Sequence, residues 1–292
     1  MTLGAREVLL CEVGPRDGLQ NEQRIVSVDD KVRFIELLVA AGIREIEVTS
    51  FVSPRWVPQL ADAENVLARV RPLAAGALLS ALVPNERGLE RALACGVGKI
   101  SVFTAASEAF AQKNINATIA ESIDRFVPVV RAAHAAGVVV RGYVSCIVAC
   151  PYDGPVTPDA VRETCARLEE IGVDELDLGD TIGVAHPDDI ARVLESCSSV
   201  RPMDELVLHL HDTQQRAIPC AERALALGVR RFDGSAAGIG GCPYAPGASG
   251  NIATELLDDL CIARGYSTSI DRTALGRAAR FIESVLAEPV VG

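Results

Sequence analysis

The sequence predicts an α/β protein folded as a closed (β/α)8 TIM barrel with an extra C-terminal helix. Three observations carry this expectation. Short β-rich apolar runs alternate eight times with longer helical patterns along the 292 residues, which is the repeat that a closed parallel barrel requires. Four helical patterns stop at a glycine directly before the next strand, in AAGI, AAGV, EIGV and ALGV, because a helix ends most readily at a residue free to take left-handed backbone angles. The polar residues follow the strands rather than precede them. Strands end in EVGPRDGLQNE, EVTSF, LGDT and HLHDT but begin with ALLS, KISV and VVVR, and active sites of such barrels gather at the C-terminal ends of the strands.

Taken in order, VLLCEV at 8 to 13 is the first strand, and a helical pattern from Ser27 to Ala41 closes at Gly42. EIEVTSF is the second strand, ahead of a helix around 59–71, and ALLSALV is the third, ahead of a helix at 86–95. KISVF is the fourth, and a longer helix at 118–136 ends at Gly137. VVVRGYVSCI precedes helix 158–171 and Gly172, and ELDLGD precedes helix 187–199. LVLHLHD and helix 216–227 lead to Gly228 and the eighth strand, RRFDGSAAG. A glycine-rich lid loop near 236–251, a helix at 251–264 and the extra helix at 270–287 complete the chain. No Pro/Ser-rich linker, charge block or low-complexity tract divides it, so residues 1–292 read as one catalytic domain. A doubly wound open sheet is the rival, disfavoured because no dinucleotide fingerprint follows the first strand.

Composition bounds the partners. A formal charge of −11 argues against nucleic acid or an anionic membrane, which are bound through basic surfaces. No run approaches the length of a membrane span and the N-terminus has no signal-peptide pattern, so a soluble, cytoplasmic protein is expected. Nine cysteines without C-x-x-C spacing then read as reduced, mostly buried small hydrophobes.

Several residues stand out as chemistry. His209 and His211, at i and i+2 in LVLHLHDT, project to one side of a strand while Leu208 and Leu210 face the other. Two imidazoles on a rigid strand make half of a metal site, although a bare H-x-H also fits hydrogen-bonded core histidines. Arg16 and Asp17 lie between Gly14-Pro15 and Gly18, in a turn that can aim both into the mouth or leave them a solvated pair. Glu47 points inward if Val48 faces the helices, and a carboxylate there needs a partner. A contact that orients Arg16 meets that need, with a purely structural ion pair as the alternative. Asp180 caps the next turn or faces the mouth, and Asn251 is a helix N-cap ahead of IATELL unless its side chain is released.

The segments EVGPRDGLQNE, SFVSPRWVPQLADAE, SEAFAQKNIN, GYVSCIVACPYDGPV, LGDTIGV, HLHDT and GGCPYAPGASGN together resemble the hydroxymethylglutaryl-CoA lyases. These belong to a metal-dependent barrel group that includes the isopropylmalate, homocitrate and citramalate synthases. The likeness runs from about residue 8 to 265. It implies Asp17, His209, His211 and Asn251 as ligands of a divalent cation, and oxygen and imidazole donors suit Mg²⁺ or Mn²⁺. It implies Arg16 as the cation that stabilises charge on the thioester oxygen and Cys242 as proton donor to the acetyl-CoA enolate. Asp180 is placed near the substrate, and His209 or Asp180 is the base. The implied ligand is an acyl-CoA, cleaved to acetyl-CoA and acetoacetate or a matching 3-oxo acid. Ser50 and Ser145 are candidate substrate contacts. Lys113, one of three lysines against 25 arginines, lies with Asn114 in the loop after strand four, where it meets a phosphate or pantetheine oxygen or forms a solvated face. A homo-oligomer, dimer or tetramer, is expected. The chain departs from the family in HDTQQRA, where HDTYGQA is familiar, and in His186, so the acyl chain stays open. The ending EPVVG lacks a cysteine-bearing tail, and no thiol switch is expected there. A Claisen-type condensing enzyme acting on a 2-oxo acid and a catalytically silent acyl-CoA-binding barrel are the alternatives.

Overall fold

Eight parallel strands close into a barrel in which each strand pairs with the next and the last returns to the first. The computed structural model describes residues 3–241 and 250–288. The strands are β1 (Leu9–Glu12), β2 (Glu45–Ser50), β3 (Leu78–Leu82), β4 (Lys99–Ala105), β5 (Val139–Ser145), β6 (Glu175–Asp180), β7 (Leu206–Leu210) and β8 (Arg231–Gly234). Closure sets Leu9 beside Arg231 and Glu12 beside Gly234. Around them run α1 (Val28–Ala40), α2 (Ala63–Val70), α3 (Glu86–Ala94), α4 (Glu108–Ile115), α5 (Ile119–Ala135), α6 (Pro158–Glu170), α7 (Pro187–Cys197), α8 (Ala217–Leu227), α9 (Thr254–Ala263) and α10 (Arg272–Ala287). Gly42, Gly137, Gly172 and Gly228, expected as helix terminators, have φ of 85°, 73°, 91° and 114°. No described helix is long and apolar enough to cross a membrane.

The side-chain period of two sorts each strand into two faces. Ile46, Val48, Ile100, Val102, Val140, Leu176, Leu178, Leu208 and Leu210 point outward into the shell shared with Phe34, Leu38, Leu67, Phe126 and Leu168 of the helices. Burying each such side chain contributes about 1.5–3 kcal/mol. The inward positions are charged. Lys99 bonds Glu45 and Glu175, and Arg141 contacts Glu45, Glu175, Asp177 and Asp233 at 2.7, 3.0, 3.1 and 2.9 Å. The barrel floor is therefore an ion-pair network rather than the layered aliphatic packing usual inside such barrels.

Three local differences from the sequence reading matter. SEAFAQKNIN, expected as a loop, contains α4. Ser107 caps it by accepting the Phe110 amide at 3.2 Å, and Asn116 ends it at φ 48°. Its two turns are too short for periodicity to reveal. A small antiparallel pairing of Ala149–Cys150 with Gly154–Pro155 also follows β5. The helix expected at 251–264 begins only at Thr254, so Asn251 does not cap it.

Glu12 ties the end of β1 to the rest of the mouth. Facing outward, its Oε1 accepts the amides of Gly14 (3.0 Å) and Ala236 (2.8 Å), and its Oε2 pairs with the Thr254 hydroxyl at 2.7 Å. Burial pushes the carboxyl up to about 8, although the Thr254 hydroxyl and the Ala236 and Gly14 amides pull the other way. The folded protein therefore keeps a proton that the unfolded chain releases near pH 4.5, so folding stability declines as pH rises from there to about 8 and then levels off. Glu12→Gln reproduces the protonated shape and removes this slope. Melting curves of both proteins between pH 5 and 9 should diverge by up to about 1.4 kcal/mol per pH unit, in favour of the variant. Parallel curves would show that Glu12 is ionised in the fold.

Candidate metal and active site

Outward packing of Leu206, Leu208 and Leu210 leaves His209 and, just past the strand, His211 facing the barrel axis, with ring centroids 5.2 Å apart. The GPRDG segment brings the acid to them. The Val13 carbonyl accepts the amides of Arg16, Asp17 and Gly18 at 3.1, 2.7 and 3.2 Å, making one wide turn over the mouth. Gly18 must be glycine here, since a Cβ would lie 2.8 Å from Ile239 Cγ1 and 2.9 Å from Ser235 Oγ. Asp17 Oδ2 then stands 3.9 Å from Nε2 of both His209 and His211. Asn251 joins through backbone pairing that sequence periodicity does not show. It bridges antiparallel to His211, with the Asp212 amide on the Gly250 carbonyl (2.7 Å) and the Ile252 amide on the Leu210 carbonyl (3.0 Å). Its Nδ2 donates to Asp17 Oδ2 at 3.0 Å.

The donor set fits a divalent cation. Ligand atoms of Asp17, His209 and His211 lie within 4.8 Å of one another, close to the span of atoms each about 2.0–2.3 Å from one ion. Burial and the neighbouring His209 lower His211 to about 4, which leaves it a neutral imidazole ready to ligate. Burial also opposes charge on His209, but its hydrogen bond to Asp233 and the nearby Asp17 raise it to about 9. Asp17 is likewise desolvated, yet Arg16 and the two histidines hold it down at about 2. Asp233 Oδ2 meets His209 Nδ1 at 3.2 Å and so turns Nε2 toward Asp17, the usual support for a metal-bound histidine. His211 Nδ1 is buried without a partner among the described residues; the bridge to Asn251 orients it instead.

Arg16 is buried at the edge of this cluster. Its Nε donates to Glu47 Oε2 at 2.5 Å, its Nη1 to Asp17, and its guanidinium lies 5.4 Å over the Tyr143 ring. Glu47 thus stands where the sequence reading expected a partner that orients Arg16. Ser145 shares the inward parity of Arg141 and Tyr143, and is half-buried at the end of β5. Ser50 is buried and its hydroxyl accepts the Val52 amide at 3.1 Å. Lys113 and Asn114 are exposed on α4. Cys242 lies outside the described residues.

Asp180 requires a correction. It shares the parity of Leu176 and Leu178, so its carboxylate turns away from the axis and accepts the amides of Val184 (3.4 Å) and Ala185 (3.0 Å). It is a loop anchor and not a member of the mouth cluster. The same two residues are gripped from the carbonyl side by Arg216, which donates to Val184 at 2.7 Å and Ala185 at 3.1 Å. The unfamiliar QQR stretch therefore ties two rim loops together, with Gln215 at φ 57° where a glycine would be relaxed. His186 is exposed at the start of α7. Sequence reasoning passed over Arg141, Tyr143, Asp177 and Asp233. A signal was available, because EIE, RGY, ELD, HLH and RFD place polar residues two apart on five of the eight strands.

A TIM barrel whose mouth gathers a carboxylate, two imidazoles, an amide and an anchored guanidinium is a barrel enzyme with a candidate metal centre. The HMGL-like family model matches residues 7–282, and the chain belongs to that family. It is 50% identical to hydroxymethylglutaryl-CoA lyase of Pseudomonas mevalonii, over 96% of this chain and 92% of that one. It is 47% identical to the 3-hydroxy-3-isohexenylglutaryl-CoA/hydroxy-methylglutaryl-CoA lyase of Pseudomonas aeruginosa, over 96% and 93%. It also superposes on an HMG-CoA lyase from Acinetobacter baumannii, solved in complex with coenzyme A and 3-methylmalate, with a TM-score of 0.92, 32% identity and coverage of 100% and 95%.

Removing an imidazole should separate metal binding from folding. His211→Ala is expected to weaken Mn²⁺ binding by about 100-fold or more, read by calorimetry, while the metal-free melting temperature moves by only a few degrees. Unchanged Mn²⁺ affinity would place the ion elsewhere.

Proposed function

We propose that the protein cleaves 3-hydroxy-3-methylglutaryl-CoA, or a close 3-hydroxy-3-alkylglutaryl-CoA, to acetyl-CoA and acetoacetate or the matching 3-oxo acid. One observation carries this reading: Arg16, locked by Glu47, stands against the Asp17, His209, His211 and Asn251 cluster in a chain of the HMGL-like family. Those four residues would hold Mg²⁺ or Mn²⁺. When bound, the ion supplies charge that lowers the pKa of a chelated tertiary hydroxyl. Loss of the hydroxyl proton lets the bond between carbons two and three break, with its electrons passing into the thioester to give an enolate. Arg16, pre-aimed and permanently charged, stabilises that enolate oxygen.

Of the two bases in contention, Asp180 is committed to loop amides, which leaves His209. Asp233 behind Nδ1 would steady the imidazolium formed when Nε2 takes the proton. Nε2 takes it only while neutral and unligated, so the proton that the metal-free site holds up to about 9 must leave before each turnover, and metal ligation and base function are alternative states of this one residue. Cys242 is assigned the last proton transfer, to the enolate carbon, on the strength of its GGCPYAPGASGN context. Ser145 and Ser50, at the ends of β5 and β2, fit substrate contacts at the mouth, and Lys113 and Asn114 fit the solvent end of a long thioester. The A. baumannii complex supports a CoA ligand, and the P. aeruginosa relative supports room for a larger alkyl group. A cytoplasmic location accords with eight described cysteines that are all free thiols. We also propose a homo-oligomer, dimer or tetramer, which light scattering reads directly.

Acetyl-CoA should form from 3-hydroxy-3-methylglutaryl-CoA with Mg²⁺ and stop on chelation. Arg16→Gln should lower turnover by about 100-fold or more with Mn²⁺ affinity within about threefold. A near-native rate in that variant would remove Arg16 from the chemistry, and thiol release from acetyl-CoA plus a 2-oxo acid would point to condensation instead.

A further inference from the structure

Tyr143 lies directly beneath the residues just assigned, and two hydrogen bonds and two ring contacts place it between them. Its hydroxyl is 3.2 Å from Glu47 Oε2 and 3.2 Å from Asp233 Oδ2. These are the same oxygens that hold Arg16 Nε and His209 Nδ1. Its ring supports the Arg16 guanidinium at 5.4 Å and meets the His209 ring edge-on at 6.2 Å and 88°. Either carboxylate alone could pivot about its χ angles and carry its cationic partner with it. A phenol between them removes that freedom, because one hydroxyl hydrogen serves two acceptors at equal distance. Burial beside Asp233 and Glu47 raises the phenol well above its ordinary pKa, so it stays protonated.

We propose that Tyr143 is a positioning residue that fixes Arg16 and His209 relative to each other, setting the distance between the enolate-stabilising cation and the metal ligand. The Arg16 half of this role rests on the lyase reading, whereas the placement of His209 is read by metal binding alone.

Tyr143→Phe keeps the ring and deletes the bridge. Mn²⁺ affinity without substrate, measured by electron paramagnetic resonance, should fall by about 10-fold or more, the scale of losing support around a metal ligand. At saturating Mn²⁺, kcat for 3-hydroxy-3-methylglutaryl-CoA should fall by about 10-fold or more while KM changes less than about threefold. Both must move. A variant within about twofold of the native protein in either affinity or kcat overturns the coupling, and a merely structural tyrosine would leave both unchanged once folded. If Tyr143→Phe does not fold, Tyr143→Met removes the hydroxyl with a flexible side chain that adapts to the space, leaves Asp233 and Glu47 in place, and the same two outcomes apply. Absence of cleavage by the native protein would sink the proposed reaction, while the Mn²⁺ ratio would still decide the His209 half.

Discussion

The structure depends on balancing charge inside the barrel. Asp17, Glu45, Glu47, Glu175, Asp177 and Asp233 all point toward the axis, and the cations that meet them are Lys99, Arg141, Arg16 and Arg231. Unpaired buried charge is among the most costly things a fold can contain, and breaking one partner of a buried pair typically costs about 3–5 kcal/mol. Arg141, touching four of the acids, is thus the pin of the floor. The acids outnumber the cations by two. Without an ion the shortfall is made up by protons, which is why His209 holds one up to about 9 and why burial beside Asp233 pushes Asp177 well above the carboxylate range. A divalent cation held by Asp17, His209 and His211 would supply the same two charges.

This balance links floor to mouth. Lys99 and Arg141 hold the carboxylates of the lower layer, Asp233 rises from that layer to His209, and Glu47 holds Arg16 from below. Arg16 and His209 therefore have their orientation set by a buried partner on a neighbouring strand rather than by a surface loop. Rotamers locked by packing and hydrogen bonding keep such a site pre-aimed, which is how a fixed cation stabilises developing charge without reorganising.

Much of this was legible in the sequence. Strand and helix order followed from periodicity and from the glycines at the helix ends, since both reflect local backbone physics. His209 and His211 were legible as a pair because a strand puts i and i+2 on one face, and Glu47 because an inward acid needs a cation. What stayed hidden depended on contacts between distant segments. Asn251 reads as a helix cap until the pairing of residues 250–252 with the end of β7 is known. Asp180 reads as a site residue until its parity with Leu176 and Leu178 turns it outward. Tyr143 and Asp233 carry no local signature beyond polar spacing, and α4 is too short to show a period.

The position of Arg141 Nη1, 3.1 Å from Asp177 and 2.9 Å from Asp233, has a bearing on nuclearity. Asp177, His209 and Asp233 by themselves have the spacing of a second ion-binding triad one layer below the first. A guanidinium already occupies that place, tethered and unable to exchange with solvent. The two lower carboxylates are therefore already compensated by a charge fixed to the chain, which a diffusing ion would first have to displace.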